Sequence, residues 1–204
     1  MKVVIVDYGM GNVRSLETTL NFLGVNDVLL ASDYETLKSA EKIILPGVGS
    51  YAAAMNEIKK RKIDIYLQDI VVEDNKPIIG ICLGMQLLGK SSTEDGFNTG
   101  LGFIDGEVDN FDKKIVKVPH VGFNQVFVNN QFRLYKDFNN EFADFYFTHS
   151  FRMTTKIDIN QCYCFYQDDF VASFEFKNIV GTQFHPELSQ TNGLKLLRNF
   201  IENF

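Results

Sequence analysis

Several residue types and patterns are scarce in this chain of 204 residues, and each scarcity excludes a class of protein. Tryptophan is absent, and there are only 3 cysteines and 4 prolines. An odd and small number of cysteines does not make a disulfide framework, so we expect reduced thiols and a cytoplasmic location. The apolar runs fall short of the roughly 20 residues that a membrane helix requires, and we expect no membrane partner. The short apolar run before Asp7 predicts a strand rather than a signal peptide.

Positive charge is also in short supply. Lysine and arginine number 20 against 26 aspartates and glutamates, which gives a net charge of -6. We therefore do not expect a broad positively charged surface that binds nucleic acid. The remaining composition, with 45% hydrophobic residues and 15 glycines, is ordinary for a globular protein that buries a sizeable core.

The first half of the chain alternates strand and helix signals. Short apolar runs predict strands, at 3–6, 28–31, 42–45 and 77–81. Apolar residues spaced by three and four predict helices, at 14–23, 34–39, 51–62, 64–72 and 83–90. Continuous apolar strands separated by helices indicate a parallel sheet with helices on both faces.

The second half has a different pattern. Residues 102–180 show short alternating strands with Asn, Asp and Gly turns, and a closing helix is predicted at 193–204. We interpret the alternating strands as an antiparallel extension of the same sheet. The prediction is one α/β domain over residues 1–204, with a mostly parallel central sheet.

The sharpest local signal is GICLGMQ at residues 80–86, between a predicted buried strand and a helix. In a nucleophile elbow the reactive residue sits on a strained strand-to-helix turn, and glycines two positions to either side allow the backbone to turn so tightly. Gly80 and Gly84 flank Cys82 in this way, and the helix N-terminus favours the reactive thiolate. The alternative is a core cysteine with two packing glycines.

A cysteine nucleophile needs a base, and the chain has only 3 histidines. His185 follows a strand-like run, and because alternate residues of an extended chain point to the same side, Glu187 can orient its ring. Together with Cys82 they make the nucleophile, base and acid of acyl transfer. The alternative is a surface His-Pro-Glu turn.

An oxyanion needs hydrogen-bond donors. The main-chain N–H of Leu83 is one candidate, and the glycine loop 46–50, after a neighbouring strand, is another. A plain strand-to-helix turn is the alternative for that loop. Cys162 and Cys164 share one face of a strand, and because no further ligands stand out, we expect them to pack in the core without a metal.

Three motifs, LPGVG at 45–49, GICLGMQ at 80–86 and QFHPE at 183–187, together resemble the class I, triad-type glutamine amidotransferases. Segments 7–15, 117–124, 146–150 and 182–190 are similar to one branch of that family, the glutaminase subunits of imidazole glycerol phosphate synthase. The similarity runs from residue 7 to residue 200, so it covers nearly the whole chain.

The resemblance implies roles for individual residues. Cys82 would attack the side-chain amide of L-glutamine, His185 would protonate the departing ammonia and then activate water, and Glu187 would hold the imidazole ring. The oxyanion loop of the family falls on Gly47 and Val48. The implied glutamine-binding residues are Gln86, Glu94, Gly49, His149 and Ser150. No cofactor is implied.

The resemblance also implies a partner, a HisF-type cyclase with a TIM-barrel fold, in a heterodimer. That subunit would use the ammonia to form imidazole glycerol phosphate and AICAR in histidine biosynthesis. Asn12, Phe123, Tyr146 and Leu188 fall on the side where the family meets the cyclase. The family usually has tryptophan at the position of Phe123 and often lysine at that of Leu188, so these two departures bear on which partner is used.

Other functions are compatible with the same motifs. A paralogue within this branch would supply ammonia to an acetamidino-sugar or surface-polysaccharide pathway. A stand-alone thiol hydrolase would keep the elbow but act without a partner. A flavodoxin-like interaction module without catalysis would keep the fold alone.

Overall fold

The computed structural model describes residues 1–112, 114–166 and 168–204. Its first half consists of short strands and helices in alternation. The strands are β1 (Lys2–Val6), β2 (Asp27–Ala31), β3 (Lys42–Leu45) and β4 (Ile78–Ile81). The helices are α1 (Val13–Phe22), α2 (Tyr34–Ser39), α3 (Tyr51–Lys60), α4 (Ile63–Leu67) and α5 (Leu83–Leu87), with a π-helical segment at Gln68–Glu73.

The second half is mostly β-structure. Its strands are β5 (Ser91–Ser92), β6 (Asn98–Thr99), β7 (Gly106–Asn110), β8 (His120–Phe127), β9 (Phe142–His149), β10 (Phe151–Thr155), β11 (Gln161–Tyr166), β12 (Asp168–Phe176) and β13 (Ile179–Thr182). Short 3₁₀ turns lie at Arg133–Tyr135 and Pro186–Leu188, and the chain closes with helix α6 (Gln190–Asn203).

One nine-stranded sheet, in the order β2-β1-β3-β4-β13-β12-β11-β8-β9, organises the molecule. The pairs from β2 to β13 are parallel, and the pairs from β13 to β9 are antiparallel. This mixed α/β sheet, with a parallel core and an antiparallel extension, agrees with the fold class predicted from the sequence. β13 returns beside β4, so the ends of the strands that precede Cys82 and His185 are neighbours.

Strands β1, β3 and β4 are buried on both faces because each lies between two apolar layers, whereas the edge strand β2 leaves Leu29 and Leu30 exposed. Val4, Ile43 and Leu45 pack in one layer, which includes helix α3. Val3 and Ile5 point to the opposite layer, which includes residues of α1 and α6. This alternation follows from the two-residue period of a strand, and it explains why these strands are apolar throughout.

The structure differs from the sequence prediction in the second half. Strands β10-β7-β5-β6 form a separate four-stranded sheet, so residues 106–110 and 151–155 do not extend the main sheet. The chain leaves the main sheet at Ser150, between β9 and β10. The two-residue period shows that a segment is a strand but not which sheet it joins, which is why the prediction was wrong here.

The helices also differ from their predicted bounds. The helix predicted at 83–90 ends at Leu87, and the one predicted at 64–72 is a short α-helix followed by the π-helical segment. The closing helix begins at Gln190, three residues before the predicted start. Within the described ranges no helix is long and apolar enough to cross a membrane.

Candidate active site

Cys82 occupies a tight turn between β4 and α5. Its backbone has φ 54° and ψ -111°, which is unusual for a residue with a side chain. A Cβ atom on Gly84 would lie 1.8 Å from the carbonyl oxygen of Leu45, and one on Gly80 would lie 2.7 Å from the carbonyl oxygen of Gly84. Both positions therefore require glycine, and the turn has the backbone geometry that the elbow prediction demands.

His185 and Glu187 lie at the end of β13, next to that turn. Nδ1 of His185 is 2.9 Å from Oε1 of Glu187, and both side chains are buried. The main-chain N–H of Cys82 donates to the carbonyl of Thr182, which ties the elbow to β13. Since Nδ1 bonds to the carboxylate, Nε2 is the nitrogen available to Cys82. Among the described residues Nε2 is buried without a hydrogen-bond partner.

The electrostatics of this group favour a charged histidine. Burial lowers the pKa of His185, but its interactions with the side chains of Cys82 and Glu187 outweigh that effect and raise its pKa to about 10. At neutral pH the ring is therefore an imidazolium beside the sulfur of Cys82. A thiolate with an adjacent proton donor is the reactive arrangement for attack on an acyl carbon.

The sulfur of Cys82 has two further polar neighbours. The carbonyl oxygen of Thr148 and Nε2 of Gln183 each lie 3.8 Å from Sγ. Gln183 is fully buried, and no role was predicted for it from the sequence. A signal was available, because Gln183 is two residues before His185 and an extended chain directs both side chains to one side.

A cavity of about 350 Å³ opens at Cys82. All five residues predicted to bind glutamine contribute to its wall. It is lined by Val48, Gly49, Cys82, Leu83, Gln86, Glu94, Pro119, Thr148, His149, Ser150 and Phe151. A cavity of this volume accommodates a small ligand, and carboxylate, amide and main-chain groups supply polar contacts.

Gln86 and Glu94 are both held by hydrogen bonds within the protein. Nε2 of Gln86 donates to the carbonyl of Phe151 and to Oε1 of Gln183. Glu94 accepts a hydrogen bond from the main-chain N–H of Tyr51, and burial raises the pKa of its carboxyl group. Both amide hydrogens of Gln86 are thus engaged, so its carbonyl oxygen is what it can offer a ligand.

His149 lines the cavity, but its ring is held by hydrogen bonds within the protein. Its Nδ1 is 2.7 Å from the carbonyl oxygen of Phe151, and its Nε2 is 3.0 Å from Nδ1 of His120. Because both ring nitrogens have partners within the protein, the ring is not free to bind a substrate. The contribution of His149 to a bound ligand is limited to its main chain and its position.

The two residues predicted for the oxyanion loop are placed differently. Val48 lines the cavity with Leu83, whereas Gly47 packs behind it. A Cβ atom on Gly47 would lie 2.5 Å from the hydroxyl of Tyr8 and 2.8 Å from the main-chain nitrogen of Gly84. The loop is therefore pressed against the start of α5, where main-chain N–H groups can face a developing negative charge.

The residues predicted to meet a partner lie around this site. The rings of Phe123 and Tyr146 contact edge to face, with centroids 5.6 Å apart, and Phe123 is half exposed. The main chain of Tyr146 accepts a hydrogen bond from the N–H of His185. Leu188 is exposed one residue after Glu187.

The fourth of these residues, Asn12, begins α1. It follows Gly11, at which a Cβ atom would lie 2.9 Å from Pro46. The loop that carries Asn12 therefore adjoins the glycine loop of the cavity.

The other two cysteines lie in the core. Burial raises the pKa of Cys162 to about 11 and that of Cys164 to about 12, so both stay protonated at neutral pH. In the described part of the chain no three His, Cys, Asp or Glu residues are grouped so as to hold a metal ion.

Comparisons with known proteins give a consistent family. The chain matches the sequence model of the family "Glutamine amidotransferase class-I" over residues 4–204. It is 41% identical to imidazole glycerol phosphate synthase subunit HisH 2 of Vibrio vulnificus, covering 99% of this chain and 94% of the relative. It is 39% identical to the HisH subunit of Aquifex aeolicus, covering 98% and 96% of the two chains.

Solved structures agree at the level of the fold. The PurLQS structure from Thermotoga maritima superimposes with a TM-score of 0.73 at 22% identity, covering 98% of this chain and 97% of the other. A glutamine amidotransferase from the same organism gives a TM-score of 0.68 at 16% identity, covering 99% and 96%.

Proposed function

The chain belongs to the class I glutamine amidotransferase family, and we propose that it is the glutaminase subunit of a HisH-type imidazole glycerol phosphate synthase. The proposed amidotransferase domain spans residues 1–204. The observation that carries the proposal is the group at the cavity: a strained Cys82, with His185 beside it and Glu187 bonded to the far nitrogen of that ring.

The proposed reaction begins with the Cys82 thiolate, which attacks the side-chain amide carbon of L-glutamine. The main-chain N–H groups of Leu83 and Val48 stabilise the oxyanion. Nε2 of His185 donates its proton to the departing ammonia, which leaves a glutamyl thioester on Cys82. His185 then takes a proton from water, which hydrolyses the thioester and releases glutamate, while Glu187 holds the ring in place.

The other lining residues recognise the amino-acid end of the substrate. Glu94 provides a negative charge for the ammonium group, and Gln86 provides its carbonyl oxygen. Gly49 and the main chain at His149 and Ser150 complete the wall. No cofactor or metal takes part in this proposal.

Ammonia then passes to a HisF-type TIM-barrel cyclase, which docks on the side of Asn12, Phe123, Tyr146 and Leu188. The names of the relatives support this, because each is a subunit of imidazole glycerol phosphate synthase. The cyclase adds the ammonia to its nucleotide substrate and forms imidazole glycerol phosphate and AICAR. We place this heterodimer in the cytoplasm.

The test is Cys82→Ala in the complex with the cyclase. Glutamine-dependent synthesis should fall by at least about 10⁴-fold, because the nucleophile is lost. Synthesis from ammonium should continue, since the cyclase is intact. Cys162→Ala is the matched control, a buried cysteine outside the cavity, and should retain glutaminase activity. Glutamate release by Cys82→Ala at the normal rate would refute the assignment.

The acceptor of the ammonia has its own test. Phe123 and Leu188 stand where the family usually has tryptophan and lysine, and they favour considering a sugar-pathway paralogue as the second candidate. We expect the gene to restore growth without histidine in a strain that lacks its own glutaminase subunit. Failure to restore growth, with glutaminase chemistry intact, would favour the paralogue.

A further inference from the structure

A chain of side-chain hydrogen bonds joins strand β8 to the wall of the cavity. Nδ2 of Asn124 lies 3.4 Å from Nε2 of His120, and Nδ1 of His120 lies 3.0 Å from Nε2 of His149. Nδ1 of His149 ends the chain, 2.7 Å from the carbonyl oxygen of Phe151. Both histidines are buried, and they are direct cross-strand partners on β8 and β9.

The hydrogen bonds of this chain all run in one direction. The carbonyl of Phe151 can only accept, so Nδ1 of His149 carries a proton, and in a neutral ring Nε2 is then an acceptor. His120 must therefore donate from its own Nδ1 and accept at Nε2 from Asn124. Burial lowers the pKa of His120 to about 4 and that of His149 to about 3, which keeps both rings neutral.

Main-chain groups hold the side chain of Asn124, the first residue of this series of hydrogen bonds, in one orientation. Its Oδ1 accepts the N–H of Gln125 at 2.8 Å, and its Nδ2 also donates to the carbonyl of Phe165 at 3.3 Å. These bonds set which end of the amide faces His120. The ring of His120 is stacked on Tyr166, with centroids 3.9 Å apart, so it has little freedom to turn.

The last acceptor of this series of hydrogen bonds, the carbonyl of Phe151, belongs to a residue that lines the cavity. The carbonyl of Phe151 accepts from His149 and from Nε2 of Gln86, and Gln86 in turn donates to Gln183, whose Nε2 lies beside Cys82. That carbonyl and Oε1 of Gln183 are therefore the two acceptors that fix how the amide of Gln86 is turned. A Gln86 amide turned the other way would present N–H groups to an ammonium ion.

We propose that Asn124, His120 and His149 are positioning residues for glutamine binding, acting through the Phe151 carbonyl to hold the oxygen of Gln86 toward the substrate. This inference rests on the proposed function and assigns the two histidines a role in substrate affinity rather than in proton transfer. They touch neither the sulfur nor the reacting amide.

The test is kinetic, with L-glutamine as substrate and the chain in complex with its ammonia-accepting subunit. His120→Phe keeps a planar ring in the stack but removes the bond to His149. The KM for glutamine should rise about tenfold, the effect of one hydrogen bond of about 1.4 kcal/mol, while kcat stays within about threefold. His120→Asn places an N–H donor near the position of Nδ1 and should recover part of the affinity.

Phe147→Leu is the matched control. Phe147 is buried and stacks on His120, with centroids 4.8 Å apart, but it makes no side-chain hydrogen bond. It should lower the melting temperature without the rise in KM. An equal rise in KM for Phe147→Leu, or an unchanged KM for His120→Phe, would overturn the proposal that these residues position Gln86.

Nitrogen NMR of the two rings gives a readout independent of turnover. Both should be protonated at Nδ1 and unprotonated at Nε2 near pH 7, and a proton on Nε2 of His149 would overturn the proposal. If the wild-type complex releases no glutamate from glutamine, both the proposed function and the positioning role are wrong. If the wild-type enzyme is active and the His120→Phe variant has the same KM, only the positioning role is wrong.

Discussion

The histidines of this protein are all buried, yet the two regions that hold them stabilise opposite charge states. At the end of β13 the pKa of His185 is raised to about 10, whereas between β8 and β9 the pKa values of His120 and His149 are lowered to about 4 and about 3. Burial acts in the same direction on all three rings, because it disfavours the charged form.

What differs is the partner of each ring. His185 bonds to the carboxylate of Glu187 and adjoins the sulfur of Cys82, and these two interactions together outweigh burial. His120 and His149 bond to one another, to an amide and to a carbonyl, none of which carries a negative charge. The comparison shows that the same residue type becomes a proton donor in one region and a fixed neutral dipole in the other.

Among the predicted changes, removal of the Glu187 carboxylate should have the largest effect on activity, and it should make the charge state of His185 more like that of the other two histidines. In Glu187→Gln the ring loses its anionic acceptor, so the pKa of His185 should fall and the tautomer required by Cys82 is no longer enforced. We expect kcat/KM for glutamine to fall by about 10³–10⁴-fold.

The activity and the pKa of His185 are measured separately in this experiment. Glutamate release by the complex measures the activity, and an NMR titration of the His185 ring measures its pKa. Glu202→Gln, an exposed carboxylate on α6, is the control and should stay within about twofold of the wild type. An unchanged pKa of His185 in Glu187→Gln would show that the carboxylate is not what charges the ring.

A second prediction concerns the backbone of the two regions. In Gly84→Ala the new methyl group would lie 1.8 Å from the carbonyl oxygen of Leu45, so the elbow or β3 must move. We expect a loss of at least about 3 kcal/mol in unfolding free energy, together with loss of glutaminase activity.

Gly122→Ala is the matched change on β8. That glycine has φ 128°, but open space surrounds its Cβ position. Only backbone strain is added, and the expected cost is about 1–2 kcal/mol. Urea unfolding of both variants measures the difference, and equal losses would contradict the close packing of the elbow.

The elbow region was largely predictable from the sequence, because the constraints there are local. Gly80 and Gly84 mark a turn that only glycine permits, and His185 and Glu187 stand two residues apart. The local conformation differs from the prediction, because Glu187 lies in the 3₁₀ turn Pro186–Leu188 and not in an extended chain. Strands β1, β3 and β4 are recognisable because both of their faces are buried, and the edge strand β2 still has an apolar run although Leu29 and Leu30 are exposed.

The antiparallel region was less predictable, because its contacts join distant parts of the chain. The pairing of His120 with His149 depends on the register of β8 against β9, which no short motif specifies. For the same reason the second sheet, formed by β5, β6, β7 and β10, was not foreseen. His149 was predicted to bind glutamine without saying through which atoms, and the sequence did not indicate that both of its ring nitrogens have partners within the protein.

The smallest expected effect is on stability in mild acid. A histidine whose pKa is lowered by folding binds its proton more readily in the unfolded state, so stability is lost as the pH falls below the ordinary pKa of 6.5. His120 and His149 should each lower the unfolding free energy by up to about 1.4 kcal/mol per pH unit toward pH 4.

The contribution of His185 to the pH dependence of the unfolding free energy has the opposite sign, so it can be told apart from that of His120 and His149. Its raised pKa contributes stability that is fully present well below pH 6.5 and is lost as the pH rises toward 10, so between pH 6.5 and pH 5.5 it adds only a small slope of the opposite sign, which is the same in the wild type and in a His120 variant. Urea unfolding at pH 6.5 and pH 5.5 should therefore report the neutral pair, above the range in which most carboxyl groups titrate. His120→Phe removes one of the two titrating rings and should reduce the slope by up to about 1.4 kcal/mol per pH unit, even though the variant is less stable. A slope that does not change in this variant would mean that His120 is protonated in the folded protein, and the contrast between the two regions would then be wrong.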